Sequence, residues 1–183
     1  MASKQPDREI TTLLQHATCL YTSEQIENAI AKMALQISHD LQHTNPILLP
    51  IMNGGLSIAA SLMKHLQFPL QVDYLHVTRY RGNTSGGTTD WIYRPRIDIT
   101  NRVVILIDDL LDHGITLLEA VDYCKGAGAE AVYTCVLILK ELQNRPGLQS
   151  VDYFALTSPD KYIFGYGMDY KTYWRNAPGI FAV

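Results

Sequence analysis

One uninterrupted apolar run near the middle of the chain constrains the fold most strongly. Val103–Ile107 contains only aliphatic residues, which favours a β-strand that is buried on both faces. Two carboxylates, Asp108 and Asp109, follow directly, and Asp112 precedes a glycine-containing turn that opens a helix at Thr116. Carboxylates bind sugar hydroxyls or Mg²⁺, and free N–H groups at a helix start bind phosphate. One segment can therefore hold a phosphorylated sugar from both ends.

Apolar runs and helical patterns alternate along the rest of the chain. Predicted strands cover residues 46–51, 71–80, 102–107, 131–139 and 152–157. Predicted helices cover residues 23–41, 56–66 and 116–125, the first opened by a capping box of Thr22 and Gln25. This alternation indicates an α/β fold whose mainly parallel sheet is flanked by helices. Ligands bind at the carboxyl ends of such strands, so we expect the turns at 53–55 and 113–116 to face one crevice.

Composition narrows the class of protein. The chain has 183 residues, 47% of them hydrophobic, which is enough for one domain with a sizeable core. Its 15 basic and 18 acidic residues give no reason to expect a nucleic-acid partner. No signal peptide or membrane-spanning run is visible, and Cys19, Cys124 and Cys135 have no metal-binding spacing. We therefore expect a cytoplasmic protein with packed thiols.

The stretch from residue 81 to residue 99 breaks the pattern with glycines, a proline and many hydroxyls. A loop of this length inside a compact domain is typical of a functional segment. The sequence predicts a mobile loop here.

Two ordinary interpretations compete for the central segment. Its carboxylates could be solvated groups that cap a helix after a plain strand–helix turn. A receiver-type phosphoacceptor site also places an acidic pair after a strand. Its pair normally follows the first strand, however, whereas Asp108 and Asp109 lie past the middle of this chain.

Residues 107–116 (IDDLLDHGIT) closely resemble the phosphoribosyl-diphosphate motif of the type I phosphoribosyltransferases. The likeness is greatest to the 6-oxopurine branch, the hypoxanthine-guanine phosphoribosyltransferases. The resemblance implies that Asp108 and Asp109 hold the ribose hydroxyls. It implies that the 5′-phosphate is wrapped by Asp112, His113, Gly114, Ile115 and Thr116. Asp112 is also the implied catalytic group, which handles the proton on purine N7.

Residues 158–170 (SPDKYIFGYGMDY) closely resemble the purine-binding segment of the same branch. By this resemblance Lys161 donates to the purine O6 atom, Tyr162 stacks on the base and the Ile163 backbone contacts its edge. Asp169 adjoins the purine and, with Asp108 and Asp109, is an implied Mg²⁺ ligand. Judged alone, Lys161 and Tyr162 would be a surface lysine beside a core tyrosine.

Two basic residues outside that segment also match positions in the family. Lys140 matches a lysine that the family places near O6, and a solvated lysine at a strand end is the alternative. Arg175 corresponds to a basic residue near the diphosphate.

The chain departs from the family's pattern at several positions. Asn53, Gly54 and Gly55 occupy the place of the diphosphate-binding loop, where members often carry Lys or Arg instead of Asn53. In the mobile loop Tyr80 matches, whereas Arg79 replaces a serine. We hypothesise that Arg79 supplies positive charge that Asn53 lacks. Asp108 stands where the branch commonly has Glu, and His113 where it often has Thr.

The resemblance implies a type I phosphoribosyltransferase fold over residues 1–183. Its core would cover about residues 20–157, and a small hood would combine the N-terminal segment with residues 158–183. The implied activity is Mg²⁺-dependent transfer of phosphoribosyl from phosphoribosyl diphosphate to hypoxanthine or guanine, by a homodimer or homotetramer. Two alternatives are a xanthine-preferring enzyme and a phosphoribosyl-diphosphate-sensing regulator that binds RNA.

Overall fold

The computed structural model describes residues 6–79 and 89–183. Its helices are α1 (Arg8–His16), α2 (Ser23–Leu41), α3 (Gly55–Met63) and α4 (Ile115–Gly126). The strands are β1 (Thr18–Thr22), β2 (Ile47–Pro50), β3 (Gln71–Val72), β4 (His76–Arg79), β5 (Thr89–Tyr93), β6 (Val103–Leu111), β7 (Ala131–Lys140), β8 (Tyr153–Ser158), β9 (Ile163–Phe164) and β10 (Gly179–Ala182). No helix within the described ranges is long and apolar enough to cross a membrane.

A five-stranded sheet in the order β3-β2-β6-β7-β8 forms the centre of the molecule, and every pair in it is parallel. Strand β6 is the middle strand, with Ile107 opposite both Pro50 and Cys135. Helices α2 and α3 pack on one face, whereas α4 packs on the other. The aliphatic run of β6 is thus buried from both sides, as its sequence predicts, and the predicted fold class is confirmed.

Helix α2 begins where the sequence predicts. The Gln25 N–H donates to Thr22 Oγ1 at 3.3 Å, and the Thr22 N–H donates to Gln25 Oε1 at 2.9 Å. This capping box satisfies two N–H groups that would otherwise lack acceptors. The buried face of the helix then points at the sheet.

Strand β6 continues four residues beyond its predicted end at Ile107. Asp108 pairs with Val136, and Leu111 pairs with Leu139 on β7. The acidic pair therefore belongs to the strand itself and not to the turn after it. Strand pairing fixes the backbone of both carboxylates, which the apolar run alone did not indicate.

The predicted single strand over residues 71–80 was wrong, because the structure divides it into β3 and β4. Asp73 lies at the break, and its carboxylate accepts N–H groups from Tyr74, Arg96 and Ile97 at 2.7–3.1 Å. The donors of Arg96 and Ile97 are far from Asp73 in the sequence, so a local pattern cannot indicate them. Strand β4 leaves the central sheet and pairs with β5.

The prediction of a loop over residues 81–99 was also wrong in part, because residues 89–93 form β5. Trp91 of this strand packs against Tyr123 of α4, with ring centroids 4.8 Å apart. The Arg94 guanidinium lies 5.2 Å from the centre of the Trp91 ring. Arg79 ends β4, whereas Tyr80 lies outside the described residues.

A second, antiparallel sheet joins the two ends of the chain in the order β1-β10-β9. Its buried residues Ile163, Ile180 and Ala182 pack into the same cluster as α2 and α3. None of α1, β1, β9 and β10 was predicted from the sequence. The proposed boundary between core and hood stays a prediction.

Candidate active site

Residues 112–114 form a turn between β6 and α4, whose first residues are 115 and 116, and another loop backs this turn. The carbonyl oxygens of His113 and Gly114 accept the N–H groups of Gly147 and Leu148 at 3.0 and 3.1 Å. Gly114 has φ +72°, and a Cβ there would lie 2.5 Å from the Leu148 carbonyl oxygen. The backing loop therefore fixes the carbonyl side of the turn, while the first N–H groups of α4 have no intrahelical acceptors.

This turn and its neighbours line a cavity of about 220 Å³. The lining residues are Asp108, Leu110, Asp112, His113, Gly114, Ile115, Thr116 and Leu117. All the residues predicted to wrap a phosphate thus lie together. The positive end of the α4 dipole favours an anion in this position.

The loop that backs the turn was missed by the sequence reasoning. The Arg145 guanidinium donates to the carbonyl oxygen of Lys140 and, at 3.3 Å, to that of Gln149. The Gln149 amide donates to the Gly147 carbonyl oxygen at 2.8 Å. Arg145-Pro146-Gly147 is the only local sign of a turn here, and it does not indicate what the turn contacts.

The Asp108 and Asp109 carboxylates sit side by side at the edge of the cavity. The Asp109 N–H donates to Asp108 Oδ1 at 2.9 Å. Burial, together with the negative charge of Asp109, raises the pKa of Asp108 well above its ordinary value. Burial also raises the pKa of Asp109, although a hydrogen bond with Asp108 and the nearby Arg175 guanidinium oppose the rise. The charged forms of these two carboxylates therefore lower the stability of the folded chain.

Arg175 links this acidic pair to the C-terminal segment. Its guanidinium contacts Asp169 Oδ1 at 2.6 Å and approaches Asp109 Oδ2 at 3.9 Å. It also donates to the carbonyl oxygen of Gly167 at 2.6 Å. The backbone of Gly167 in turn meets Gly54, because a Cβ on Gly167 would lie 2.5 Å from the Gly54 carbonyl oxygen.

The turn at residues 53–55 lies against β6. A Cβ on Gly54 would overlap the Asp109 carboxylate, so any other residue here would require that carboxylate to move. Asn53 is exposed, and its peptide bond with Met52 is cis. A cavity of about 440 Å³ is lined by Ile51, Met52, Asn53, Gly54, His76, Val77, Thr78, Asp108, Asp109, Leu110, Thr116, Asp169 and Arg175. It shares Asp108, Leu110 and Thr116 with the smaller cavity, so both turns face one crevice as expected.

Lys140 forms a second link across the site. Its Nζ lies 3.5 Å from Asp112 Oδ2 and 3.3 Å from Asp160 Oδ1, and only 9% of its side chain is exposed. A buried ammonium group held by two carboxylates is not the solvated strand-end lysine of the alternative interpretation. The Lys161 residue, by contrast, is exposed. The His113 ring is 62% exposed, with Nδ1 3.4 Å from Asp112 Oδ2.

Tyr162 presents its ring at the surface of the C-terminal segment. The residue is 52% exposed, and its hydroxyl donates to the Asp169 carbonyl oxygen at 3.1 Å. Its ring lies edge-on to Tyr170, with centroids 5.4 Å apart. Ile163, the next residue, is buried. The backbone of this segment is thus fixed while one aromatic ring remains accessible.

The predicted Mg²⁺ ligands do not form a closed cation site. In residues 6–79 and 89–183 no three His, Cys, Asp or Glu side chains are grouped so that they could hold a metal ion by themselves. Asp169 is engaged by Arg175, whereas Asp108 and Asp109 line the crevice. Carboxylate oxygens suit Mg²⁺, which often takes one or two of them together with substrate phosphates. The residues fit that open mode of binding.

Known proteins resemble this chain along most of its length. The phosphoribosyl transferase domain family matches residues 16–171. A hypoxanthine-guanine phosphoribosyltransferase of Streptococcus pneumoniae is 33% identical over 162 residues, which cover 88% of this chain and 89% of the relative. A hypoxanthine-guanine-xanthine phosphoribosyltransferase of Tritrichomonas foetus is 26% identical over 161 residues, 88% of each chain. A solved hypoxanthine phosphoribosyltransferase of Staphylococcus aureus superposes with a TM-score of 0.87 at 26% identity, covering 94% of each chain.

Gly114→Ala should lower the free energy of unfolding by about 1–3 kcal/mol, because alanine is strained at this φ and its Cβ would crowd Leu148. Gly126→Ala is the matched control, since a Cβ at Gly126 meets nothing within 4 Å. That variant should be neutral or more stable by up to about 1 kcal/mol. Urea unfolding measures both, and equal effects would show that the turn tolerates a side chain.

Asp108→Asn should raise the free energy of unfolding at pH 7. The raised pKa means that the folded state binds a proton more tightly than the unfolded state, whose Asp pKa is about 3.9. Stability from this group is therefore present at low pH and lost as the pH rises above that value. The free energy of unfolding of the variant should therefore decrease less from pH 4 to pH 8 than that of the parent. Urea unfolding across this pH range measures the difference.

Asp98→Asn is the control, because the pKa of Asp98 is lowered whereas that of Asp108 is raised. A hydrogen bond from the Thr100 N–H lowers the pKa of Asp98, so its contribution is present at neutral pH and is lost as the pH falls. This variant should be less stable than the parent at pH 7. If Asp108→Asn were also less stable than the parent at pH 7, the raised pKa of Asp108 would be contradicted.

Proposed function

Because this chain belongs to the phosphoribosyltransferase family, we propose that it is a purine salvage enzyme of the 6-oxopurine branch. It transfers the 5-phosphoribosyl group from phosphoribosyl diphosphate to hypoxanthine or guanine and forms IMP or GMP. The observation that carries this proposal is the position of Lys140 between Asp112 and Asp160. That ammonium group joins a turn suited to a sugar phosphate to a segment suited to a base.

The sugar phosphate occupies the crevice at the carboxyl end of β6. The N–H groups of residues 112–116 and the Thr116 hydroxyl hold the 5′-phosphate, and Asp108 and Asp109 accept hydrogen bonds from the ribose hydroxyls. Two observations support this placement. Asp108 lines the same cavity as the turn, and Asp109 lines the adjoining one. The carbonyl oxygens of His113 and Gly114 are bonded to the backing loop. Hydrogen bonds from ligand hydroxyls favour the charged form of these carboxylates. They therefore offset part of the free energy that burial of the charges costs.

The base lies between this turn and the C-terminal segment. Tyr162 offers a flat exposed ring for stacking, and the fixed backbone at Ile163 contacts the purine edge. We assign the O6 contact to Lys140 in preference to Lys161, because Lys140 is buried beside Asp112 whereas Lys161 is exposed. An ammonium group only donates, so it selects a 6-oxo over a 6-amino purine.

The reaction is a substitution at the anomeric carbon of the ribose. Purine N9 forms a bond to that carbon as the bond to the diphosphate oxygen breaks, and Asp112 accepts the proton that leaves N7. Arg175, together with the glycine turn at residues 53–55, stabilises the departing diphosphate. Mg²⁺, held by Asp108, Asp109 and Asp169 with the substrate, would supply further positive charge at the leaving group.

We also propose that the enzyme acts in the cytoplasm as a homodimer or homotetramer. Cys124 and Cys135 are free and buried, which suits a reducing compartment. Helix α3 exposes Leu56 and Met63, two apolar side chains that a second copy could cover. Analytical ultracentrifugation of the purified chain would decide the oligomeric state.

The decisive assay combines the purified chain, Mg²⁺ and phosphoribosyl diphosphate with hypoxanthine, guanine, xanthine and adenine in turn. We expect IMP and GMP, and no product from adenine. A rate that is highest with xanthine would favour the xanthine-preferring alternative, which the name of the Tritrichomonas foetus relative supports. Tight RNA binding without nucleotide formation would favour the regulatory alternative, and a lack of product from all four bases would disprove the central proposal.

Lys140→Met should lower kcat/KM for hypoxanthine by roughly 10- to 100-fold, which corresponds to the loss of one hydrogen bond from a charged donor. Lys161→Met is the control and should change kcat/KM by less than about twofold, since that residue is exposed. Steady-state kinetics with the base as the varied substrate measures both. A larger loss in Lys161→Met would return the O6 contact to Lys161.

A further inference from the structure

Three polar side chains from separate parts of the chain meet beneath the crevice. Glu27 comes from α2, Ser61 from α3 and Tyr166 from the turn after β9. The Ser61 hydroxyl donates to Glu27 Oε1 at 2.9 Å, and the Tyr166 hydroxyl donates to the same oxygen. The two hydroxyl oxygens lie 2.6 Å apart, and Ser61 is buried. Glu27 and Ser61 lie outside the motifs that predict the activity, and Tyr166 lies within residues 158–170 but has no role assigned by them.

Tyr166 occupies an unfavourable backbone conformation. Its φ is +48°, a left-handed value that is a genuine outlier for a bulky residue. Such a conformation is energetically unfavourable and persists only where surrounding contacts hold it. The hydroxyl contacts with α2 and α3 are contacts of this kind.

The strained conformation at Tyr166 places Gly167 against the 53–55 turn. Gly167 has φ +110°, and its Cα approaches the carbonyl oxygen of Gly54 so closely that a Cβ would lie 2.5 Å from it. The Gly167 N–H donates to the Arg175 carbonyl oxygen at 2.9 Å, and the Arg175 guanidinium donates back to the Gly167 carbonyl oxygen at 2.6 Å. Gly167 thus contacts both groups that face the diphosphate.

Helix α3 completes the connection. The helix begins at Gly55, directly after the turn, and carries Ser61 in its second turn. The 53–55 turn is therefore attached to the Tyr166 hydroxyl through α3 and to the Tyr166 backbone through Gly167. A shift of the tyrosine would move the turn from two sides.

We propose that Tyr166, Glu27 and Ser61 form a positioning clasp that holds Gly54 and Arg175 in place for the diphosphate of the substrate. Tyr166 acts through Gly167 and touches no substrate atom, so it is a positioning residue. This inference rests on the proposed function for the identity of the ligand. It assigns to these three residues a share in diphosphate affinity and none in base recognition.

The protonation states support this arrangement. The hydrogen bond from Tyr166 is the main cause that lowers the pKa of Glu27. Burial and the Glu27 carboxylate raise the pKa of Tyr166 to about 12. The tyrosine is thus a neutral donor and the glutamate a charged acceptor at neutral pH, which gives a strong hydrogen bond. Lys64 and His65 are the basic residues near the carboxylate.

Tyr166→Phe tests the clasp, and Tyr153→Phe is its matched control. The Tyr153 hydroxyl also donates to a carboxylate on α2, Asp40 Oδ2 at 2.9 Å, but Tyr153 begins β8 at the end of the sheet away from the site. Both variants lose one tyrosine–carboxylate hydrogen bond and should lose similar stability. Only Tyr166→Phe should raise the KM for phosphoribosyl diphosphate, by about tenfold, with the KM for hypoxanthine changed less than twofold.

Two glutamate variants supply a rescue test. Glu27→Gln keeps an oxygen that accepts from Tyr166, so its KM for phosphoribosyl diphosphate should stay within about threefold of the parent. Glu27→Ala removes the acceptor and should match Tyr166→Phe. Equal KM values for Glu27→Gln and Glu27→Ala would overturn the clasp, as would equal shifts in Tyr166→Phe and Tyr153→Phe.

Calorimetric titration with inorganic diphosphate and Mg²⁺ separates this proposal from the proposed function. If the parent chain binds diphosphate but forms no nucleotide, the activity is wrong and the clasp is judged by the titration alone. Weaker binding in Tyr166→Phe than in Tyr153→Phe would then support it. Equal binding in the two variants would reject it, as would a parent chain that does not bind diphosphate.

Discussion

The crowding of two partly buried carboxylates, Asp108 and Asp109, is the constraint on which the rest of the site depends. Strand pairing with β7 fixes their backbones, so the two groups cannot separate by moving the chain. The surroundings reduce the cost through the Asp109 N–H, the Arg175 guanidinium and a glycine that leaves room for one carboxylate. In the proposed complex, hydrogen bonds from the ribose hydroxyls offset more of this cost, so the site gains affinity at the expense of stability.

Arg175 and Lys140 connect separate parts of the chain in addition to balancing negative charge. Arg175 connects Asp109 with Asp169, and Lys140 connects Asp112 with Asp160. Each connection runs from the central strand or its turn to the C-terminal segment. The C-terminal segment, which we propose binds the base, is thus held to strand β6 by ionic contacts, which tolerate small adjustments better than a packed apolar interface does.

Sequence patterns predicted the parts of the fold that depend on local periodicity. The aliphatic runs and the capping box of Thr22 located four of the five central strands and the main helices. Asp73 shows where this reasoning stops, because its acceptor oxygens bind N–H groups more than twenty residues away. The same limit applies to Arg145 and to Lys140, whose burial between two carboxylates is not indicated by any local pattern. Motifs therefore located the candidate residues, whereas partners brought together by the fold determined which of them face one another.

The order of the strands separates the tasks of the site along the sheet. The turn proposed to bind the sugar phosphate leaves the middle strand β6, and the 53–55 turn leaves its neighbour β2. The segment proposed to contact the base leaves β8, the edge strand on the opposite side. A segment that departs from an edge can change in length or composition without disturbing the pairing of the inner strands. Selection for a different base can therefore act on the exposed residues Lys161 and Tyr162, while the contacts proposed for the activated sugar are retained.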